Sequence, residues 1–145
     1  MFDFQLRLSN DRLLSIDIDG NDFWVWKAIS SVTPAVVVIE YNGKFPPPIS
    51  IAQEYKASHE WSGTDYFGAS LEALAKLGRQ KGYQLVACNI TGANAFFVRD
   101  DLVGDHFPYA LTASNLYHPC RFHLLFGCFA SAGHVPDFGK YVRIE

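Results

Sequence analysis

LLSIDIDGNDFW, residues Leu13 to Trp24, is an apolar run that closes on two carboxylates and a glycine, just ahead of a segment with helical spacing. The run reads as a strand of the kind buried on both faces in a parallel sheet. Asp17 and Asp19 then fall at its carboxyl end, where open α/β sheets hold their ligands. In the following NDFWVWKAIS, Asn21 or Asp22 can cap a helix, and Phe23, Trp26 and Ile29 recur at helical spacing until Pro34 ends the pattern. Ala35 to Glu40, AVVVIE, is a second β-branched run at the distance a short crossover needs to return as a parallel neighbour. The expected unit is βαβ, with Asp17, Asp19 and Glu40 at the strand ends.

Downstream, FPPP at Phe45 to Pro48 removes three ladder donors in succession and predicts a loop. No sustained period follows as far as Gly63. The segment nevertheless holds Tyr55, His59 and Trp61, the pattern of a long loop lying over a site as a lid. Ser70 to Lys81 predicts a helix with Leu71, Leu74 and Ala75 on one face, Glu72 and Lys76 spaced as an ion pair, and Gly82 after its end. Tyr83 to Cys88 and Asn94 to Val98, joined by NITGAN, predict an antiparallel hairpin. Beyond Asp101 the pattern weakens, although LYHPCRFHLLFGCFA is compatible with a short apolar helix after Pro119. The class is α/β in a single domain, since 145 residues can bury a core of useful size.

Composition narrows the function classes. A formal charge of -3 without a Lys/Arg cluster gives no general footprint for nucleic acid or anionic lipid. The amino terminus carries neither a signal-like run nor a membrane span, so the expectation is a cytoplasmic protein. Cys88, Cys120 and Cys128 form no CxxC pair, which argues for a reducing compartment and for packing rather than nucleophilic roles. Trp24 and Trp26 cannot share one helical face, so at least one of them faces a pocket, the loop or a partner.

Asp17, Asp19, Glu40 and Asn42 offer hard oxygen ligands suited to magnesium, manganese or calcium, with no histidine among them to favour zinc. The same groups serve without metal as acids and bases. Period-two alternation puts Asp17 and Asp19 on one side of an extended strand, where like charges raise one proton affinity or call for a cation. Each also has a purely structural reading: Asp19 as a helix-start acceptor, Gly20 as a turn residue, Glu40 as a capping or ion-pair partner, and His59 as a surface group.

LLSIDIDGNDFWVWKAI, PAVVVIEYN and GTDYFGASLEALAKLGRQKGYQLVACNITGANAFFVRDDL, taken in that order over residues 11–103, resemble the C-terminal half of class I S-adenosylmethionine-dependent methyltransferases of the FkbM group. The resemblance implies a partial Rossmann-like methyltransferase sheet in which Leu13 to Ile18 is the fourth strand, AVVVIE the fifth and Tyr83 to Val98 the closing hairpin. Residues 104–145 are an extension. It further implies S-adenosylmethionine as cofactor, with Asp17 and Glu40 contacting it. Asp17, Asp19 and Asn21 become the catalytic group, with Asp19 taking the acceptor's proton, and Tyr41, Asn42, His59 and Trp61 shape the site of an unidentified methyl acceptor.

Complete members bind the donor through a glycine-rich loop and an acidic residue that both lie upstream of the matching region, and the 12 residues before Leu13 are too few to supply them. The expectation is therefore a partial domain, active after completion by a partner chain or as a homo-oligomer, or else a non-catalytic remnant that binds partners. DIDG also resembles the DxDG signature of haloacid-dehalogenase-like phosphotransferases, which would make Asp17 a magnesium-dependent nucleophile. Asn21 stands where that pattern has a threonine or another small residue.

Overall fold

The computed structural model describes residues 13–107, 109–121 and 134–145. Strand β1 (Leu13–Ile16) leads through helix α1 (Asp22–Ala28) to β2 (Val36–Glu40), and the two strands pair in parallel with Leu13 opposite Val36 and Ile16 opposite Ile39. The βαβ unit forms as the sequence predicts. Helix α1 ends at Ala28, six residues before Pro34, so the connection to β2 contains more loop than the periodicity implied.

Helix α2 (Leu71–Gln80) is capped by Ser70, whose Oγ accepts from the Ala73 amide. It feeds the antiparallel hairpin β4 (Tyr83–Cys88) and β5 (Asn94–Arg99). Gly82 and Gly92 carry φ of 80° and 75° after the helix and at the hairpin turn, where a side chain would be strained. The sheet order is β1-β2-β5-β4, with β5 antiparallel to both neighbours. The hairpin thus docks its second strand directly on β2.

Strand β3 (Ile51–Gln53) lies inside the segment expected to be irregular and pairs antiparallel with β6 (Tyr141–Arg143). Three residues are too short to display a period, and their partner is almost ninety residues away, so local sequence carries no signal for this pair. Two single-turn helices, α3 (Asp100–Val103) and α4 (Ala113–Leu116), complete the described elements. The apolar helix expected after Pro119 falls largely outside the described residues.

Both longer helices cover one face of the main sheet. Trp26 of α1 is 1% exposed and its ring centroid lies 4.8 Å from that of Phe97 and 6.1 Å from that of Tyr83. Gly78 of α2 admits the Phe97 ring so closely that a Cβ there would sit 2.8 Å from two of its carbons. Val37, Ile39, Ala95 and Phe97 are fully buried beneath the helices. Burying three such aromatic rings contributes on the order of 2 kcal/mol each from apolar area alone. On the other face, the register aligns Val36 with Val98 and Val38 with Phe96, all half-buried. Phe96 and Phe97 point to opposite sides, as adjacent strand residues must.

Two expectations are corrected. Among the described residues β1 is an edge strand: Leu13 and Ile18 are 63% and 51% exposed, so the run is not buried on both faces. Glu72 reaches Arg79 at 3.7 Å, while Lys76 donates to the Ile144 carbonyl at 3.0 Å. The tail's carbonyl outcompetes the expected i,i+4 carboxylate. No helix among the described residues is long and apolar enough to cross a membrane.

Candidate functional site

The register of β1 on β2 dictates the first contact of the site. Continuing the pairing of Ile16 with Ile39 by one residue puts Asp17 beside Glu40, at the carboxyl ends of two adjacent parallel strands. Asp19 joins them by a turn rather than by strand alternation: β1 stops at Ile16, and Asp19 has a φ of 55°, a left-handed conformation that costs a non-glycine residue about 1 kcal/mol. Carboxylate oxygens of Asp17, Asp19 and Glu40 all lie within 4.8 Å of one another.

Asp22 builds that turn. Its side chain is fully buried, and its two oxygens accept from the Ile18 amide at 3.0 Å and the Gly20 amide at 2.9 Å. Asn21 occupies the N-cap position of α1 without a side-chain capping bond. Its amide instead spans to the loop, donating to the Lys56 carbonyl at 2.9 Å and accepting from the Lys56 amide at 3.5 Å. His59 Nε2 lies 3.1 Å from the Asp19 carbonyl, its ring seated on Gly20. The long loop therefore does lie over the acidic turn, with His59 half-buried there.

The carboxyl groups are concentrated, and three of them are held above their ordinary proton affinity. Burial, reinforced by Asp22, Asp17 and Asp19, pushes the Glu40 carboxyl from its ordinary 4.5 to about 8. Burial first and Asp19 second raise Asp17. Asp22 is raised by burial against the opposing pull of the Gly20 and Ile18 amides. No cation is among the groups acting on any of the three. Glu40 Oε2 is buried and has no hydrogen-bond partner among the described residues. Four carboxyl groups gather here, with no Lys or Arg among the groups acting on Asp17, Asp22 or Glu40 and with the His59 ring against Gly20, an arrangement that can take up a proton, a metal ion or an organic cation.

Three other predicted site residues have their polar groups engaged elsewhere. Asn42 is fully buried and donates through Nδ2 to the carbonyls of Asp65 and Phe67 at 2.9 and 3.1 Å, while its Oδ1 accepts from the Lys44 amide. It ties loops together. Tyr41 is 1% exposed and donates its hydroxyl to the His118 carbonyl at 2.7 Å, and burial raises its proton affinity. Trp61 donates to Thr64 and stacks edge-on against His134, 4.8 Å between centroids. Trp24 is the tryptophan that faces the loop: its indole donates to the Gln53 carbonyl at 2.7 Å and its ring meets Tyr55. Burial pushes the Cys88 thiol up to about 12, so it is held as the thiol at neutral pH; Cys128 lies outside the described residues.

Sequence reasoning named Asp22 only as an alternative helix cap, and its role as organiser of the acidic turn went unseen. The available signal was its spacing, which lets a short carboxylate reach the amides two and four residues back. Buried Asp65, held by Lys44 at 3.3 Å, gave no signal at all, because its loop has no period. Comparison with protein-family models, curated proteins and solved structures finds no match for this chain.

Proposed function

We propose that this chain carries the acceptor side of an S-adenosylmethionine-dependent methyl-transfer site, with Asp17, Asp19 and Glu40 as the groups that orient the acceptor and take its proton. The observation that carries the reading is the convergence of three carboxyl groups at the ends of β1 and β2, with no cation among the groups acting on Asp17 or Glu40. The sheet order supports it too, since the antiparallel hairpin docks beside β2 as the resemblance leads one to expect of a closing hairpin. Bound S-adenosylmethionine supplies an electrophilic methyl on a cationic sulfonium. A buried, unpartnered carboxylate oxygen on Glu40, in a cluster with excess negative charge, fits such a cation.

The chain's own part is acid–base and positional. Asp17 and Asp19 are both exposed; Asp19 presents a carboxylate to an acceptor O–H or N–H, while Asp17 fixes its orientation. Near neutral pH Glu40, raised to about 8, already holds a proton, so the released proton passes from the exposed Asp19 to solvent. Calorimetric titration of the full chain with S-adenosylmethionine tests the reading. Saturable one-to-one binding that Asp19→Asn leaves intact, with methyl transfer abolished, is the expected result. Absence of binding by the chain alone and in any assembly it forms would remove the proposal.

A second reading is favoured by the same oxygens, whose spacing suits a magnesium or manganese ion held by Asp17, Asp19 and Glu40. In that case a divalent ion raises the unfolding temperature and Asp17→Asn removes the effect. Magnesium-dependent phosphate release blocked by the same substitution would select the phosphotransferase alternative. Stable self-association without cofactor or metal affinity would select a partner-binding module.

A further inference from the structure

Residues 54–64 do more than pass over the acidic turn. Three hydrogen bonds fasten them to it, from both ends of the Asn21 amide to Lys56 and from His59 to Asp19. A carbonyl oxygen can only accept, so His59 Nε2 carries the hydrogen in this contact. The acceptor is the carbonyl of the residue with φ of 55°, the one strained non-glycine backbone position among the described residues. A donor on that carbonyl holds the peptide in the orientation that the left-handed conformation requires. The ring also fills the space over Gly20, where an added Cβ would meet His59 Cδ2 at 2.2 Å and Nε2 at 2.6 Å.

We propose that residues 54–64 are a strap, and that His59 and Asn21 are positioning residues which hold Asp19 in its left-handed conformation and so keep its carboxylate in the cluster. This departs from the roles the resemblance implies, a catalytic Asn21 and a substrate-binding His59. Asn21 Nδ2 and Oδ1 are engaged with Lys56, and His59 Nε2 with Asp19. Only the functional consequence rests on the methyl-transfer reading; the strap itself stands on the geometry. Inside the turn Asp22 holds the Ile18 and Gly20 amides, and outside it the strap holds the Asp19 carbonyl. Neither alone fixes a strained residue that has solvent on one side.

The test is amide hydrogen exchange of Ile18 and Gly20 in the full chain, which reports opening of the turn. His59→Ala speeds exchange at these two amides about fivefold to tenfold, the weight of one hydrogen bond, while amides of the β2–β5 ladder keep their protection. His59→Gln, which restores an amide donor, recovers most of the loss. Gly20→Ala supplies an independent route: the methyl expels the ring without removing it and gives the same acceleration. In the His59→Ala background the added methyl has nothing left to displace, so the double variant exchanges no faster than either single one.

Unchanged exchange at Ile18 and Gly20 in His59→Ala, or additive effects of the two substitutions, would overturn the strap. Manganese, as a probe ion, separates this outcome from failure of the functional reading. Exchange that responds as expected in a chain that binds neither manganese nor S-adenosylmethionine upholds the strap and sinks the activity. Binding that survives in His59→Ala with unaltered exchange does the reverse.

Discussion

Glu40→Gln should make the protein more stable at high pH and leave it almost unchanged at low pH. The carboxyl is raised from 4.5 to about 8, chiefly by burial and then by Asp22, Asp17 and Asp19. Between those values the folded protein holds a proton that the unfolded chain has released. Stability from this group is therefore complete below about pH 4.5 and is lost as the pH climbs to 8. Each tenfold change in proton affinity is worth about 1.4 kcal/mol, so the full displacement ties roughly 5 kcal/mol to protonation of Glu40. Partial solvent access and relaxation of the turn reduce this to a few kcal/mol. Gln keeps the shape of the neutral form and cannot ionise. The assay is urea denaturation of both proteins from pH 5 to pH 9. At pH 5, where only a small part of the contribution has been lost, the midpoints should lie close together, and by pH 9 the variant's should lie about 1–2 M higher, given urea slopes of a few kcal/mol per M. A difference that does not vary with pH, or a variant less stable at pH 9, would refute the burial and crowding argument.

Asn42→Ala should lower the unfolding temperature by roughly 5–10 °C, because the Asp65 and Phe67 carbonyls lose a buried donor. A scanning-calorimetry result within 1–2 °C of the parent would return Asn42 to the list of ligand contacts. Gln53→Met should stabilise by about 1–2 kcal/mol, since the side chain is 1% exposed and neither polar atom has a hydrogen-bond partner among the described residues. Chemical denaturation reads this directly, and a loss of stability would mean that the amide has a partner after all.

The parts of this molecule that were legible in sequence are those whose determinants are local. AVVVIE can scarcely be anything but a buried strand, and the spacing of Leu71, Leu74 and Ala75, closed by Gly82, writes out an amphipathic helix. The βαβ unit and the hairpin follow from connection length. The edge position of β1 did not, because an apolar run is the same whether one neighbour or two flank it. The β3–β6 pair, and the second-layer bonds of Asn42 and Asp22, depend on residues distant in the chain or on turn geometry that periodicity does not encode. The site divides along the same line. Asp17 and Glu40 converge by register alone and were named together, whereas Asp19 reaches them through a left-handed turn that alternation mispredicts.

That geometry also constrains what the site can accept. Near neutral pH Glu40 carries a proton, so a metal ion or a sulfonium that needs its carboxylate must displace it. Binding of either cation should release close to one proton below pH 8. Its affinity should rise about tenfold per pH unit as 8 is approached from below, then level off. A neutral ligand that accepts a hydrogen bond from protonated Glu40 follows the opposite course, weakening above pH 8. The calorimetric titration with S-adenosylmethionine therefore carries its own control when repeated in buffers of different ionisation enthalpy. Saturable heat with no buffer dependence would place the cation away from Glu40 and break the link between the acidic cluster and the bound methyl donor, even though the chain bound it.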